Sequence, residues 1–281
     1  MSVSNVLKCV IFILSARSAA TLICYHCNIT QPSAITPENI PTLSNCTKRS
    51  VQHRYCVLGI GFEAGKGYIT ANTEDEYGYD EDFVLGGFSI QQTELTSLSY
   101  FVVYHCATDN CNEPDSDKMK LLLRSITIEP HLELIMPKLY TDEPDLPLVC
   151  SKYTNFTESG LCYTNEETNY CSQCMMFVDG TTNRVCAYCE KFKPNSSSNT
   201  DIFLDDRAHL LKTRQTHIHH FKIYCNILEC NSVDKIEQFK KLYNIKFDYD
   251  KFLGTNNGLQ TSCISKLYFY LMCFVAIMLL R

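Results

Sequence analysis

The stretch that most constrains this chain is His105-Cys106-Ala107-Thr108-Asp109-Asn110-Cys111-Asn112. It recurs about 120 residues later as Tyr224-Cys225-Asn226-Ile227-Leu228-Glu229-Cys230-Asn231. Both copies read C-x4-C-N, and each follows a β-branched and aromatic run, residues 100–104 in the first and 221–224 in the second. Such runs predict strands. A loop closed by its own two cysteines, with an Asn just beyond, is a natural end for a small disulfide domain. Found twice, behind two cysteine-rich segments, the pattern predicts two copies of one module.

The ends carry processing signals. Lys8, the apolar residues 9–14 and Ser18-Ala19-Ala20 predict a secretory signal peptide over residues 1–20, cut after Ala20. Its apolar run is too short to span a bilayer. At the other end, Asn256-Asn257-Gly258 supplies small residues, 259–266 a spacer, and 267–280 fourteen apolar residues. That order predicts a glycosylphosphatidylinositol (GPI) anchor attached at Asn256, with residues 257–281 removed. The alternative is a transmembrane helix. Fourteen residues rise only about 21 Å against a hydrocarbon core of about 30 Å, a poor match, though a terminal Arg281 is unusual for an anchor signal.

The cysteine count agrees with export. Of 17 cysteines, Cys9, Cys263 and Cys273 fall in the end signals, leaving fourteen. Six lie in the first module: Cys24, Cys27, Cys46, Cys56, Cys106 and Cys111. Eight lie in the second: Cys150, Cys162, Cys171, Cys174, Cys186, Cys189, Cys225 and Cys230. Both counts are even, as a fully paired framework requires, and small modules without large cores depend on such bonds. Glycosylation sequons at Asn28, Asn45, Asn155 and Asn195 fit the same compartment. Without the end signals 21 basic residues face 31 acidic ones. A surface that acidic excludes nucleic acid as a ligand, which needs basic stripes, and leaves a basic protein partner open.

The opening of the first module, Leu22-Ile23-Cys24-Tyr25-His26-Cys27, with Cys46, Cys56 and the closing C-x4-C-N, resembles the three-finger family of lymphocyte-antigen and urokinase-receptor domains. The resemblance covers roughly residues 21–113. It implies three β-hairpin fingers on a disulfide knot, paired Cys24–Cys56, Cys27–Cys46 and Cys106–Cys111. The family pairs that tie the middle finger and close the third are absent, and they are missing as whole pairs. The fold expected is mainly β and disulfide-rich: two tandem three-finger modules with short flanking helices. The division runs 21–113 for module 1, 114–147 for a linker, 148–232 for a divergent module 2, and 233–256 for a helix and stalk.

Within module 1, residues 28–44, with three prolines, read as an irregular first finger. Residues 55–62 and 83–90 read as the arms of a long middle finger. Between them lies Glu74-Asp75-Glu76-Tyr77-Gly78-Tyr79-Asp80-Glu81-Asp82, either a solvated acidic tip or a contact site for a basic partner. In the second reading Tyr77, Tyr79, Asp80 and Glu81 are the contact residues, the acids steering encounter and the rings anchoring it. A helix–loop–helix calcium site fails, because placing Gly78 at the required glycine puts Thr73, Tyr77 and Val84 at ligand positions. In the linker, Met119, Leu122, Leu123 and Ile126 recur at helical spacing.

Module 2 departs further, since Tyr153 stands where the second cysteine of the opening would be. Asp179-Gly180 signals a hairpin. If the hairpin centres on residue 180, Cys174 faces Cys186 and Cys171 faces Cys189. The C-x2-C pairs have zinc-ribbon spacing, but in an exported chain disulfides are expected instead. Family analogy also implies Cys225–Cys230, which leaves six cysteines and fifteen pairings open. His217, His219 and His220, with His209 upstream, read as surface residues of the third finger. On a regular strand His217 and His219 share a face and His220 points away. No Ser or Asp motif accompanies them for acyl transfer. Val233, Ile236, Phe239, Leu242 and Tyr243 predict a short helix, with Asp234 and Glu237 spaced as a capping box.

The function expected is a non-enzymatic, GPI-anchored glycoprotein of the outer leaflet, reached through the secretory pathway and requiring no cofactor. It binds an extracellular or membrane protein such as a receptor, ion channel or adhesion molecule, the partner classes implied by the family resemblance. The alternatives are a structural or chaperone-like protein aiding a membrane partner's folding or traffic, and a metal or thiol enzyme built on the second module's cysteines.

Overall fold

A computed structural model describes residues 21–254 except 44, 76–77, 93–95, 142–147, 156–170, 172 and 191–200. The end signals, Asn256, Asn195, Cys162 and Tyr77 therefore lie outside the described residues. The strands are β1 (Leu22–Gln31), β2 (Thr47–Val51), β3 (Tyr55–Glu63), β4 (Lys66–Glu74), β5 (Phe83–Gln92) and β6 (Thr96–Cys106), then β7 (Ile126–Pro130), β8 (Tyr153–Thr154), β9 (Gln173–Asp179), β10 (Arg184–Glu190), β11 (Asp201–Leu210), β12 (Gln215–Cys225) and β13 (Tyr243–Phe247). Among the described residues four short helices accompany them: α1 (Ser116–Ser125), α2 (Leu132–Leu139), α3 (Lys235–Phe239) and α4 (Tyr249–Leu253). The architecture is mainly β and stapled by disulfides.

Eleven strands form one sheet, in the order β2-β1-β4-β3-β6-β5-β11-β12-β9-β10-β8. Apart from β2 the order is a palindrome about the β5–β11 contact. In each half a first strand pairs with the far arm of a hairpin, whose near arm pairs with the strand that ends at C-x4-C-N. The bonds follow the same symmetry. Cys24–Cys56 and Cys106–Cys111 in the N-terminal half correspond to Cys150–Cys174 and Cys225–Cys230 in the C-terminal half. Cys27–Cys46 and Cys171–Cys189 complete the described bonds, and Cys186 is disulfide-bonded as well.

The asparagine after each final cysteine explains why the motif ends as it does. Asn112 is fully buried, and its amide nitrogen donates to the carbonyls of Tyr25, Val57 and Asn72 at 3.0–3.1 Å, while its oxygen accepts from the Tyr25 N–H at 2.9 Å. Asn231 repeats the pattern with the carbonyls of Ser151, Met175 and Tyr188 and the Ser151 N–H. Asn112 thus joins backbone groups on β1, β3 and β4, and Asn231 joins β9 and β10 to the segment just ahead of β8. The residue before each second cysteine, Asn110 or Glu229, sits at positive φ and sends its N–H to Ile23 or Val149, just ahead of the first cysteine.

Several pairings differ from the sequence reading. Residues 55–62 and 83–90 are strands, but not partners. β3 turns back into β4 through Ala64-Gly65, both at positive φ as a tight two-residue hairpin needs. β5 pairs with β6 and β11. The acidic run is therefore a crossover between two hairpins rather than a finger tip. Residues 28–31 belong to β1 and pair with β4, so the irregular stretch starts only after Gln31.

The segment expected to be a linker is built into the fold. Asp115 caps α1, which buries Met119 and Leu122 against Leu58, Ile60, Val84 and Val102. β7 pairs with β13 as a two-stranded ribbon laid over the large sheet. Gly86 makes the approach possible, since a Cβ there would lie 2.0 Å from Ile126 Cδ1. Gly87 performs the same task across the β11 contact, where a Cβ would come within 2.5 Å of the Asp205 carbonyl oxygen. Residues 233–243 give only the five-residue α3, and Asp234 makes no side-chain cap bond, so the expected capping box does not form. The chain then enters β13 and α4 instead of a free stalk. Inside this layer the buried Asp205 accepts from the Tyr243 hydroxyl and from Arg207.

Asn112→Asp keeps shape but replaces the donors facing three carbonyls with an acceptor. Denaturant unfolding with disulfides intact is expected to show a loss of roughly 3 kcal/mol or more, larger than for Asn112→Ala. A loss under about 1 kcal/mol would contradict the role given to this residue.

Candidate functional site at the junction of the two halves

Because β5 and β11 run antiparallel, each half's last hairpin reaches the base of the other. The β11–β12 turn lies beside Phe83, next to the crossover that carries the acidic run, and that crossover holds it. Glu81 accepts from the backbone N–H groups of Lys212 and Thr213 at 2.5 and 2.9 Å and from the Thr213 hydroxyl at 3.0 Å. The Asp82 carbonyl accepts from Leu211 N–H, and its carboxylate from Ala107 N–H at 2.9 Å. Asp75 accepts from Arg54 N–H and pairs with His53.

Of the expected partner contacts, Tyr79 and Glu81 are thus engaged inside the molecule. Tyr79 packs edge-on against Phe83, and its carbonyl accepts from the Tyr55 hydroxyl. Asp80 differs: its side chain is fully exposed, and Arg54 reaches it at 2.5 Å.

Facing Tyr79 is an irregularity that sequence periodicity misses. Asp206 pairs with His220 but Arg207 pairs with Ile218, so His219 is an extra residue, a β-bulge on β12. The bulge breaks the alternation that assigned His219 and His220 to opposite faces. Their rings instead meet, with centroids 4.0 Å apart. His219 Nδ1 lies 3.4 Å from the Tyr79 hydroxyl, and its carbonyl accepts from Gly180 N–H at 2.8 Å. Gly180 is required there, because a Cβ would fall 1.7 Å from the Ile218 carbonyl oxygen.

That docking also explains the hairpin register. Asp179 caps Thr181 and Thr182, and Asn183 adopts positive φ, so the turn spans four residues beyond Asp179. Cys174 therefore faces Cys189, and Cys186 faces Phe177, rather than Cys174 facing Cys186. The sulfurs of Cys150 and Cys171 lie 2.9 Å apart, placing the two disulfides Cys150–Cys174 and Cys171–Cys189 side by side.

The junction separates two imidazoles by environment. Burial holds His219 down at about 4, against the pull of Asp206. Burial also opposes charge on His220, but the Asp206 hydrogen bond and the charges of Asp206 and Asp179 outweigh it and raise its pKa. Asp206 accepts from the His220 N–H with one oxygen, while the other lies 3.4 Å from His220 Nδ1. Burial, then the Asp206 and Asp179 charges, push Tyr79 up to about 12. The same junction thus favours the proton on His220 and disfavours it on His219, while Tyr79 keeps its own.

His217 is exposed and apart from this cluster. His209 is fully buried on the other face, stacked on Phe247 with Nδ1 2.9 Å from the Thr216 hydroxyl. In sequence, the His-rich run and the acidic run with Tyr79 and Glu81 pointed to this region. Asp206 carried no signal of its own, because nothing local predicts a bulge. Comparison with protein-family models, curated proteins and solved structures returns no match.

Replacing Glu81 by Gln removes the charge that holds the β11–β12 turn. Amide exchange at Lys212 and Thr213 is expected to quicken roughly tenfold, as loss of charged-acceptor hydrogen bonds implies. Unchanged protection would show that the turn is held elsewhere.

Burial, helped by the Arg207 charge, lowers His209 to about 3. Its unfolded imidazole takes a proton below about 6.5, the folded one only near 3. Stability present above the unfolded value is therefore lost progressively as pH falls toward the folded one. Between pH 7 and pH 5 this residue is expected to account for about 2 kcal/mol of the decline, and His209→Asn should flatten the curve by that order. An identical slope in the variant would contradict the assignment.

Proposed function

We propose that the chain is a non-catalytic cell-surface glycoprotein of the three-finger type, two modules long, GPI-anchored through Asn256 and binding an extracellular protein. The observation that carries this reading is the doubled knot. Asn112 and Asn231 each tie three backbone segments in the same way, beside equivalent disulfides. A base fixed this firmly presents loops at little entropic cost, which favours recognition.

The last hairpin of each module is spent on the junction, so the remaining fingers and the exposed Asp80 are left for partners. A basic partner fits the net acidic surface, with the acids steering its approach. Asn28, Asn45 and Asn155 are exposed, as sugar attachment requires.

Expressed on a eukaryotic cell, the protein is expected to leave the surface on treatment with a phosphatidylinositol-specific phospholipase. Replacing Gly258 by a bulky residue should abolish surface display. Full retention after the lipase would overturn the anchor and favour a membrane-spanning tail.

A further inference from the structure

We infer that Asp206, His219 and His220 form a zinc-binding site at the bulge where the two halves meet. One ligand atom from each of the three lies within 4.8 Å of the others. A tetrahedral zinc with bonds of about 2.0–2.2 Å has ligand–ligand edges of about 3.4 Å. The Asp206 Oδ2 to His220 Nδ1 separation is already 3.4 Å. Asp206 and His220 therefore already stand at the spacing of two ligands of one tetrahedral ion. Small rotations of His219 complete the triangle.

The site is built rather than incidental. The bulge turns two consecutive histidines to one side, which a regular strand cannot do. Asp206 is held by the His220 N–H, so its second oxygen is fixed in direction. The Tyr79 hydroxyl beside His219 Nδ1 orients that ring from the other half, the kind of outer contact that tunes a metal ligand. The His220 side chain is 35% exposed and Asp206 9%, which leaves a path for the ion and a fourth position for water. Two imidazoles and one carboxylate suit zinc better than calcium or magnesium, which prefer all-oxygen shells. Bound there, zinc replaces the Asp206–His220 hydrogen bond and links β11 to the bulge of β12, stiffening the junction.

The test is calorimetric titration of Zn²⁺ into the exported, disulfide-bonded protein, with cobalt absorption as a reporter of tetrahedral geometry. One ion per chain at micromolar affinity or tighter is expected, with a rise in melting temperature. His220→Gln and Asp206→Asn should each weaken binding at least tenfold, and Tyr79→Phe by about tenfold. His217→Gln, on the exposed neighbour, should leave binding unchanged. Should Asp206→Asn fail to fold, His220→Gln alone decides, because its side chain lies partly in solvent. No saturable binding, or binding that survives His220→Gln, would overturn the site.

Discussion

Everything in this molecule hangs from two asparagine side chains. A buried backbone carbonyl without a partner costs on the order of 1–3 kcal/mol, so several left together would consume much of a domain's net stability. Asn112 and Asn231 answer that cost where three backbone segments converge on a disulfide knot, each donating to one carbonyl on every segment. An aspartate has no donors for that position, and an aliphatic residue has neither donor nor acceptor. The cysteines tie the strands covalently; the amides set their relative positions.

From those knots the larger architecture follows. Each half ends in a hairpin whose outer strand would be an open edge. Pairing β5 with β11 covers both edges at once and makes one sheet of two halves. Gly86 and Gly87 permit it, one admitting Ile126 of the covering ribbon and the other admitting the Asp205 backbone. The acidic crossover then closes the joint by accepting the amides of the β11–β12 turn. Charge that reads in sequence as a free surface is in large part internal capping.

The chain announces some of this and hides the rest. The doubled C-x4-C-N motif, the strands before it and the helical spacing of Met119 and Leu122 are local patterns, and local physics produces them. The partner of each strand is not local. Residues 55–62 and 83–90 looked like two arms of one hairpin because Ala64-Gly65 is a weak turn signal and the acidic run a conspicuous one. The register of β9 and β10 depended on Gly180 docking against the bulge at His219, a contact between distant segments. The same bulge overturned the alternation expected of His217, His219 and His220 and brought in Asp206. Asp234 and Glu237 had capping-box spacing, yet the short α3 is positioned by burying Ile236 and Phe239, and the cap is not made.

The claim that one knot is built twice is tested most directly by mapping disulfides in the exported protein through non-reducing peptide mass spectrometry. The account predicts Cys24–Cys56 with Cys106–Cys111 in one half, and Cys150–Cys174 with Cys225–Cys230 in the other, beside Cys27–Cys46 and Cys171–Cys189. Recovery of Cys174 linked to Cys186, or of free thiols at Cys171, Cys174, Cys186 and Cys189, would contradict it. The C-terminal half would then be a different structure from the N-terminal one.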